Sequence, residues 1–192
     1  MSEVKNILLV GVGGQGTILA SKILSRGLVD AGYDVKMSEV HGMAQRGGSV
    51  STQVRYGEKV YSPIIGLGQA DILASFEKME ACRWIDHLKP DGVIVVNNYE
   101  IPSVPIQIGK ADYPDGIIEA LEKKAKTTTL DAMGIAKGIG NPKTMNVVLL
   151  GALVKAMGIT EIDWEEAIRN TVKERFIDIN ILAFNKGMEM VK

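Results

Sequence analysis

The sequence predicts an α/β protein: a mostly parallel sheet held between layers of helices. Three observations predict it. Residues 6–10 (NILLV) form an unbroken apolar run that stops at glycines, the pattern of a parallel strand buried on both faces. Strand and helix patterns then alternate along the chain, as strand–helix–strand units require. The final third turns helical and strongly apolar.

The elements follow in order. After the glycines, Ala20, Ile23, Leu24, Gly27, Leu28 and Ala31 recur at helical spacing, with Lys22, Ser25, Arg26 and Asp30 on the other face. Gly32 stands where a helix end favours a left-handed residue. A short strand is expected over 35–38. Residues 49–56 alternate: Val50, Thr52, Val54 and Tyr56 point one way, Ser49, Ser51, Gln53 and Arg55 the other. That is a half-buried strand, antiparallel or at a sheet edge. Residues 56–59 read as a turn into Val60 and Tyr61. Residues 71–75 (DILAS) and 92–97 (GVIVVN) are two more buried strands. Between them Ala81, Trp84, Ile85 and Leu88 make one apolar helix face, and 89–92 (KPDG) make a turn.

Further along, a strand is expected over 104–108, a helix over 117–126 and a last strand over 127–130. Residues 144–157 are apolar almost all round, which marks a helix buried on most faces. Asp163 with Glu166 three residues later resembles a capping box, opening a helix with Trp164, Ala167, Ile168 and Val172 on one face. A final helix covers 178–190. The expected architecture is a Rossmann-like three-layer αβα fold with a mostly parallel sheet, an antiparallel edge strand or hairpin, and a C-terminal helical segment packed on the sheet. It is expected to be one domain over residues 1–192, long enough to bury roughly 70% of its unfolded surface.

Composition narrows the function. The chain is 46% apolar and 23% charged, ordinary for a globular domain. Its net charge is −1, without the basic excess of a protein held to nucleic acid by phosphate contacts. The single cysteine, Cys82, excludes a disulfide within the chain and a cubane iron–sulfur cluster held by this chain alone. With only His41 and His87 besides, no cysteine/histidine zinc set is available. The N-terminal apolar run is too short for a signal peptide, and residues 147–154, the longest nearly apolar stretch, fall far short of a membrane span. A soluble cytoplasmic protein is expected.

Two segments concentrate chemistry. The first is 11–16 (GVGGQG), where Gly11, Gly13 and Gly16 fit G-x-G-x-x-G between a strand and a helix, with Gly14 and Gln15 inside the turn. Its backbone amides and the positive end of the following helix suit a phosphate or another anion. Glu39, 23 residues after Gly16, stands about where an acid meets a ribose hydroxyl. A tight strand-to-helix turn without a ligand explains the glycines equally well. The second segment is 38–49. It gathers Glu39, His41, Gln45 and Arg46 among Gly42, Gly47 and Gly48, between strands where α/β proteins place their sites. Arg46 is a fork donor suited to a carboxylate or phosphate, and His41 is a group that titrates near neutrality. His87, with Glu80 and Arg83, reads as part of a solvated helix face, and Cys82 as a small core or boundary residue. Asn146 either faces a site or closes a helix cap or core hydrogen bond.

Taken together, GVGGQG before a helix, SEVHGMAQRGGSV at 38–50 and NPKTMNVVLLGAL at 141–153 resemble the gamma-type domain of the 2-oxoacid:ferredoxin oxidoreductases over essentially the whole chain. The HGMAQRGG run resembles the indolepyruvate branch in particular. The resemblance implies a small subunit in the coenzyme A-dependent oxidative decarboxylation of arylpyruvates to aryl-acetyl-CoA, with ferredoxin as electron acceptor. It implies a partner, a large alpha subunit that carries thiamine diphosphate, its magnesium ion and the iron–sulfur clusters. The single cysteine and the absence of a Gly-Asp-Gly thiamine motif agree that this chain alone binds none of these. The expected site residues are His41, Gln45, Arg46, Gly47 and Gly48 as a substrate or interface loop. Gly11, Gly13, Gly14, Gln15 and Gly16 are expected as an anion loop for coenzyme A phosphate. Two alternatives stay open: the gamma subunit of a pyruvate, 2-oxoglutarate or 2-oxoisovalerate enzyme, and a free-standing Rossmann-type nucleotide-binding protein.

Overall fold

The computed structural model describes residues 4–41 and 47–191, His41 by its backbone alone. The strands are β1 (Lys5–Val12), β2 (Asp34–His41), β3 (Ser49–Gly57), β4 (Ala70–Ser75), β5 (Leu88–Asn97) and β6 (Lys126–Leu130). The helices are α1 (Thr17–Asp30), α2 (Lys78–Trp84), α3 (Val104–Gln107), α4 (Ile117–Lys124), α5 (Ala132–Gly138), α6 (Met145–Met157), α7 (Trp164–Arg169) and α8 (Ile177–Glu189). The strands form one sheet in the order β2-β3-β1-β4-β5-β6. The pairs β1–β4, β4–β5 and β5–β6 are parallel, while β3 runs antiparallel to both β1 and β2.

The apolar run of β1 explains the layering. Side chains alternate across a strand. Ile7 and Leu9 join a core with Ile23, Leu24 and Leu28 of α1, the apolar shell of α6, and Phe184 of α8. Leu8 and Val10 join a second core with Ala81 of α2 and Ile117 and Leu121 of α4. All four β1 side chains are at most 1% exposed, so the strand is buried on both faces. The C-terminal helices lie on the α1 side, with α6 against the sheet and α8 against α6. Trp164 of α7 seals α1: its indole donates to the Ile159 carbonyl at 2.8 Å, and its ring lies where a side chain at Gly27 would stand. Asp163 caps α7 by accepting from the Glu166 amide at 2.9 Å. No helix among the described residues is long and apolar enough to cross a membrane.

Several sequence expectations are corrected. The alternating segment 49–56 is antiparallel, as expected, but it is buried on both faces rather than half-buried, because it lies inside the sheet between β1 and β2; the edge on that side is β2. The expected strand over 104–108 is the short helix α3, with Val104 and Ile108 67% and 60% exposed. Pro105 stands in its first turn, where a missing amide donor costs nothing and its fixed φ suits a helix. The KPDG turn is absorbed as an irregularity in β5: Ala70 pairs with Leu88, and the next pair is Ile72 with Val93. Helix α5 has no counterpart in the sequence reading. Its signal was Asp131, which accepts from the Gly134 amide at 2.7 Å as an N-cap. Cys82 of α2 is exposed rather than core or boundary, and His87, just past the end of α2, is half-buried with its ring centroid 4.9 Å from that of Trp84. Glu80 is 4% exposed, so this side of the helix is not solvated as expected.

Candidate functional site

The chain reverses its helix layer at the C-terminal ends of β1 and β4. The connection from β1 leads to α1 on one face, and that from β4 leads to α2 on the other. A crevice opens at such a switch point, and open α/β sheets place ligands there. The glycine turn 11–16 and residues 47–49 of the second expected segment come to this place.

The glycine turn is held from three directions. Gln15 folds back: its carbonyl accepts from the Val12 amide at 2.8 Å, and its amide donates to the Phe76 carbonyl at 2.8 Å. That brace ties the end of β1 to the residue just past β4. Asn97, fully buried on β5, donates to the same Phe76 carbonyl at 3.2 Å and accepts from the Ala132 amide at 3.0 Å. Asn146 at the start of α6 donates to the Gly16 carbonyl at 3.0 Å. Gly16 has φ 82°, and a Cβ there would meet the Asn146 amide at 2.6 Å, so both backbone and space demand glycine. The third hold is the other segment: the Gly13 amide donates to the Gly48 carbonyl at 2.8 Å, and the Gly47 amide to the Gly13 carbonyl at 3.3 Å. No described residue accepts from the Gly14 or Gly16 amide, at the mouth of α1.

The structure therefore brings Gly11, Gly13, Gly14, Gln15 and Gly16 together with Gly47 and Gly48, though sequence reasoning placed them in separate loops. The backbone of His41 ends β2 opposite Val50. Gln45 and Arg46 lie outside the described residues. Glu39 does not take up the ribose position. β3 separates β2 from β1, and the Glu39 carboxylate accepts from Ser21 of α1 at 3.1 Å. Asn146 faces the site through its bond to Gly16.

Two acids at the start of α2, its capping residue Glu77 and Glu80 in its first turn, were missed as site residues. Glu77, 1% exposed, caps the helix by accepting from the Glu80 amide at 2.9 Å, and also accepts from the Tyr113 hydroxyl and the Ile101 amide. Glu80 accepts from the Ser49 hydroxyl at 2.5 Å and lies 3.4 Å from the Arg83 guanidinium. Burial pushes the Glu80 carboxyl above the ordinary range, opposed by Ser49 and Arg83 and aided by the charge of Glu77. The signal was a Glu-x-x-Glu pair at helical spacing directly after a buried strand. Among the described residues, no group of three or more His, Cys, Asp or Glu side chains is placed to hold a metal ion.

A family model described as pyruvate ferredoxin/flavodoxin oxidoreductase matches residues 6–190. The chain is 42% identical to indolepyruvate oxidoreductase subunit IorB of Thermococcus kodakarensis, over 97% of this chain and 96% of that one. It is 40% identical to the subunit of the same name from Pyrococcus horikoshii, over 97% and 96% of the two chains. In structure it resembles pyruvate oxidoreductase subunit PORC of Thermotoga maritima, with a TM-score of 0.75 at 25% identity, covering 99% and 98% of the two chains.

Proposed function

Because the chain belongs to the pyruvate ferredoxin/flavodoxin oxidoreductase family, we propose that it is the small subunit of an indolepyruvate oxidoreductase of the cytoplasm. The carrying observation is its 42% identity, over nearly the full length of both chains, to a protein named as such a subunit. The reaction takes an arylpyruvate, coenzyme A and oxidised ferredoxin. The bond to the carboxylate breaks, a thioester to the coenzyme A sulfur forms, carbon dioxide and a proton leave, and two electrons pass to ferredoxin. A single domain over residues 1–192 serves this role.

The donor set of this chain does not fit the redox cofactors. One exposed cysteine cannot ligate a cluster. Thiamine diphosphate, magnesium and the iron–sulfur clusters belong to a large partner subunit. When a cofactor supplies the chemistry, protein groups bind, orient and exclude water. The segment of His41, Gln45, Arg46, Gly47 and Gly48 meets the substrate side, with Arg46 binding the arylpyruvate carboxylate or a coenzyme A phosphate. Gly11, Gly13, Gly14, Gln15 and Gly16 hold an anion at the start of α1, the coenzyme A diphosphate being the candidate. The described geometry that supports this is the joining of the two segments at Gly13 and Gly48.

Anaerobic affinity purification of the chain from its own cells, followed by mass spectrometry and indolepyruvate-dependent dye reduction, tests the assignment. Recovery of a large cysteine-rich subunit with that activity supports it. Recovery of the chain alone, carrying a nucleotide, overturns it. Within the assembled enzyme, Arg46→Ala is expected to raise the KM for arylpyruvate or for coenzyme A. Unchanged values for both remove Arg46 from the site.

A further inference from the structure

We infer that Glu80 is a positioning residue for this site, acting through Ser49 to hold Gly47 and Gly48 against the glycine turn. The inference deepens the proposed reading and rests on it for its kinetic consequence.

Ser49 is the first residue of β3, paired with Val12 at the end of β1. Immediately before it, Gly48 and Gly47 exchange hydrogen bonds with Gly13. Gly47 has φ 83° and is exposed, and a Cβ there would meet nothing within 4 Å, so side-chain packing does not fix it. What secures the strand entrance from the α2 side is the bond from Ser49 Oγ to Glu80 Oε2 at 2.5 Å. Glu80 is itself fixed. Its side chain is 5% exposed, Arg83 lies against its second oxygen at 3.4 Å, and its amide is held by the buried Glu77 at 2.9 Å. Glu77 in turn takes the Tyr113 hydroxyl and the Ile101 amide. The chain of contacts runs from the segment after β5, through the first turn of α2, to the joint between the two glycine segments. A buried carboxylate bonded at a strand entrance holds that entrance at one height, because leaving either partner unpaired is costly.

The test uses the full chain in its native complex. Ser49→Ala removes one oxygen and leaves the fold's apolar contacts intact. Glu80→Ala removes the acceptor, and Glu80→Gln keeps one. Hydrogen exchange of the amides over 47–50 is expected to speed up about tenfold in Ser49→Ala and Glu80→Ala and to stay near wild type in Glu80→Gln. The apparent KM for coenzyme A or arylpyruvate is expected to rise about tenfold in the same two variants, with kcat per assembled complex little changed and Glu80→Gln restoring it. Unchanged exchange in Ser49→Ala overturns the inference, as does faster exchange with an unchanged KM. Arg46→Ala separates this from the underlying reading. If it raises KM while Ser49→Ala does not, the inference fails and the reading stands. If Ser49→Ala raises KM while Arg46→Ala does not, the role of Arg46 fails and that of Glu80 stands.

Discussion

Gly151 of α6 and Gly187 of α8 bring their helices together backbone to backbone. A Cβ on Gly151 would lie 2.0 Å from the Phe184 carbonyl oxygen, and one on Gly187 would lie 1.9 Å from the Val148 carbonyl oxygen. The obstacles are main chain, which no rotamer change relieves. α6 is in turn packed against β5 and α1, so it cannot retreat without disturbing the main core.

Gly151→Ala and Gly187→Ala should each therefore destabilise the protein by about 3 kcal/mol, the upper end of the usual overpacking cost. At about 2–4 °C per kcal/mol for a chain of this size, the melting temperature should fall by roughly 6–12 °C. A differential scanning experiment that finds either variant as stable as wild type contradicts the close approach.

Asn146→Ala removes the donor that holds the Gly16 carbonyl from a residue 130 positions away. The lost bond is largely buried, since Asn146 is 3% exposed. A loss of about 1–3 kcal/mol is expected in urea unfolding. Because the bond ends on the glycine turn, faster amide exchange at residues 13–17 should accompany it. A stability loss with unaltered exchange there would assign Asn146 to α6 alone.

The pH dependence of stability follows from Glu80. Its folded-state carboxyl titrates above the ordinary value of 4.5, chiefly through burial. The folded protein therefore holds this proton more tightly than the unfolded chain does. The stability this contributes is full below pH 4.5 and is lost as pH rises through the elevated folded value. Gln does not titrate, so the melting temperature of Glu80→Gln relative to wild type should climb as pH is raised from 4.5 toward neutrality. A constant difference across that window would show that Glu80 titrates normally.

Tyrosine ionisation gives a separate check. Burial pushes the Tyr56 hydroxyl up to about 12, and burial with the neighbouring Glu77 carboxylate raises that of Tyr113. Of the five tyrosines, these two should remain un-ionised at pH 11 in an ultraviolet titration of the folded protein. Tyr113→Phe should remove one resistant group. Ionisation of all five in a single ordinary step is the opposite result.

Much of this molecule was legible in one dimension. NILLV followed by glycines determined a doubly buried strand. The spacing of Ala20, Ile23, Leu24 and Leu28 determined the helix behind it. Asp163 announced α7 because a side-chain cap acts within four residues. Such local rules also marked the glycine turn and the Arg46 segment as places of interest. They did not determine the position of β3 or its burial on both faces, because alternation is a local pattern and says nothing of which strands and helices flank it. They misjudged Glu80 for a related reason. A carboxylate on a helix reads as solvated until a strand from elsewhere, here β3 with Ser49, arrives to bury and bond it. The union of Gly13 with Gly48, the closure of Gly16 by Asn146 and the contact of Gly151 with Gly187's helix are likewise decisions of the tertiary structure. Each joins residues distant in sequence, and only the packing of the sheet and its two helix layers sets their distance.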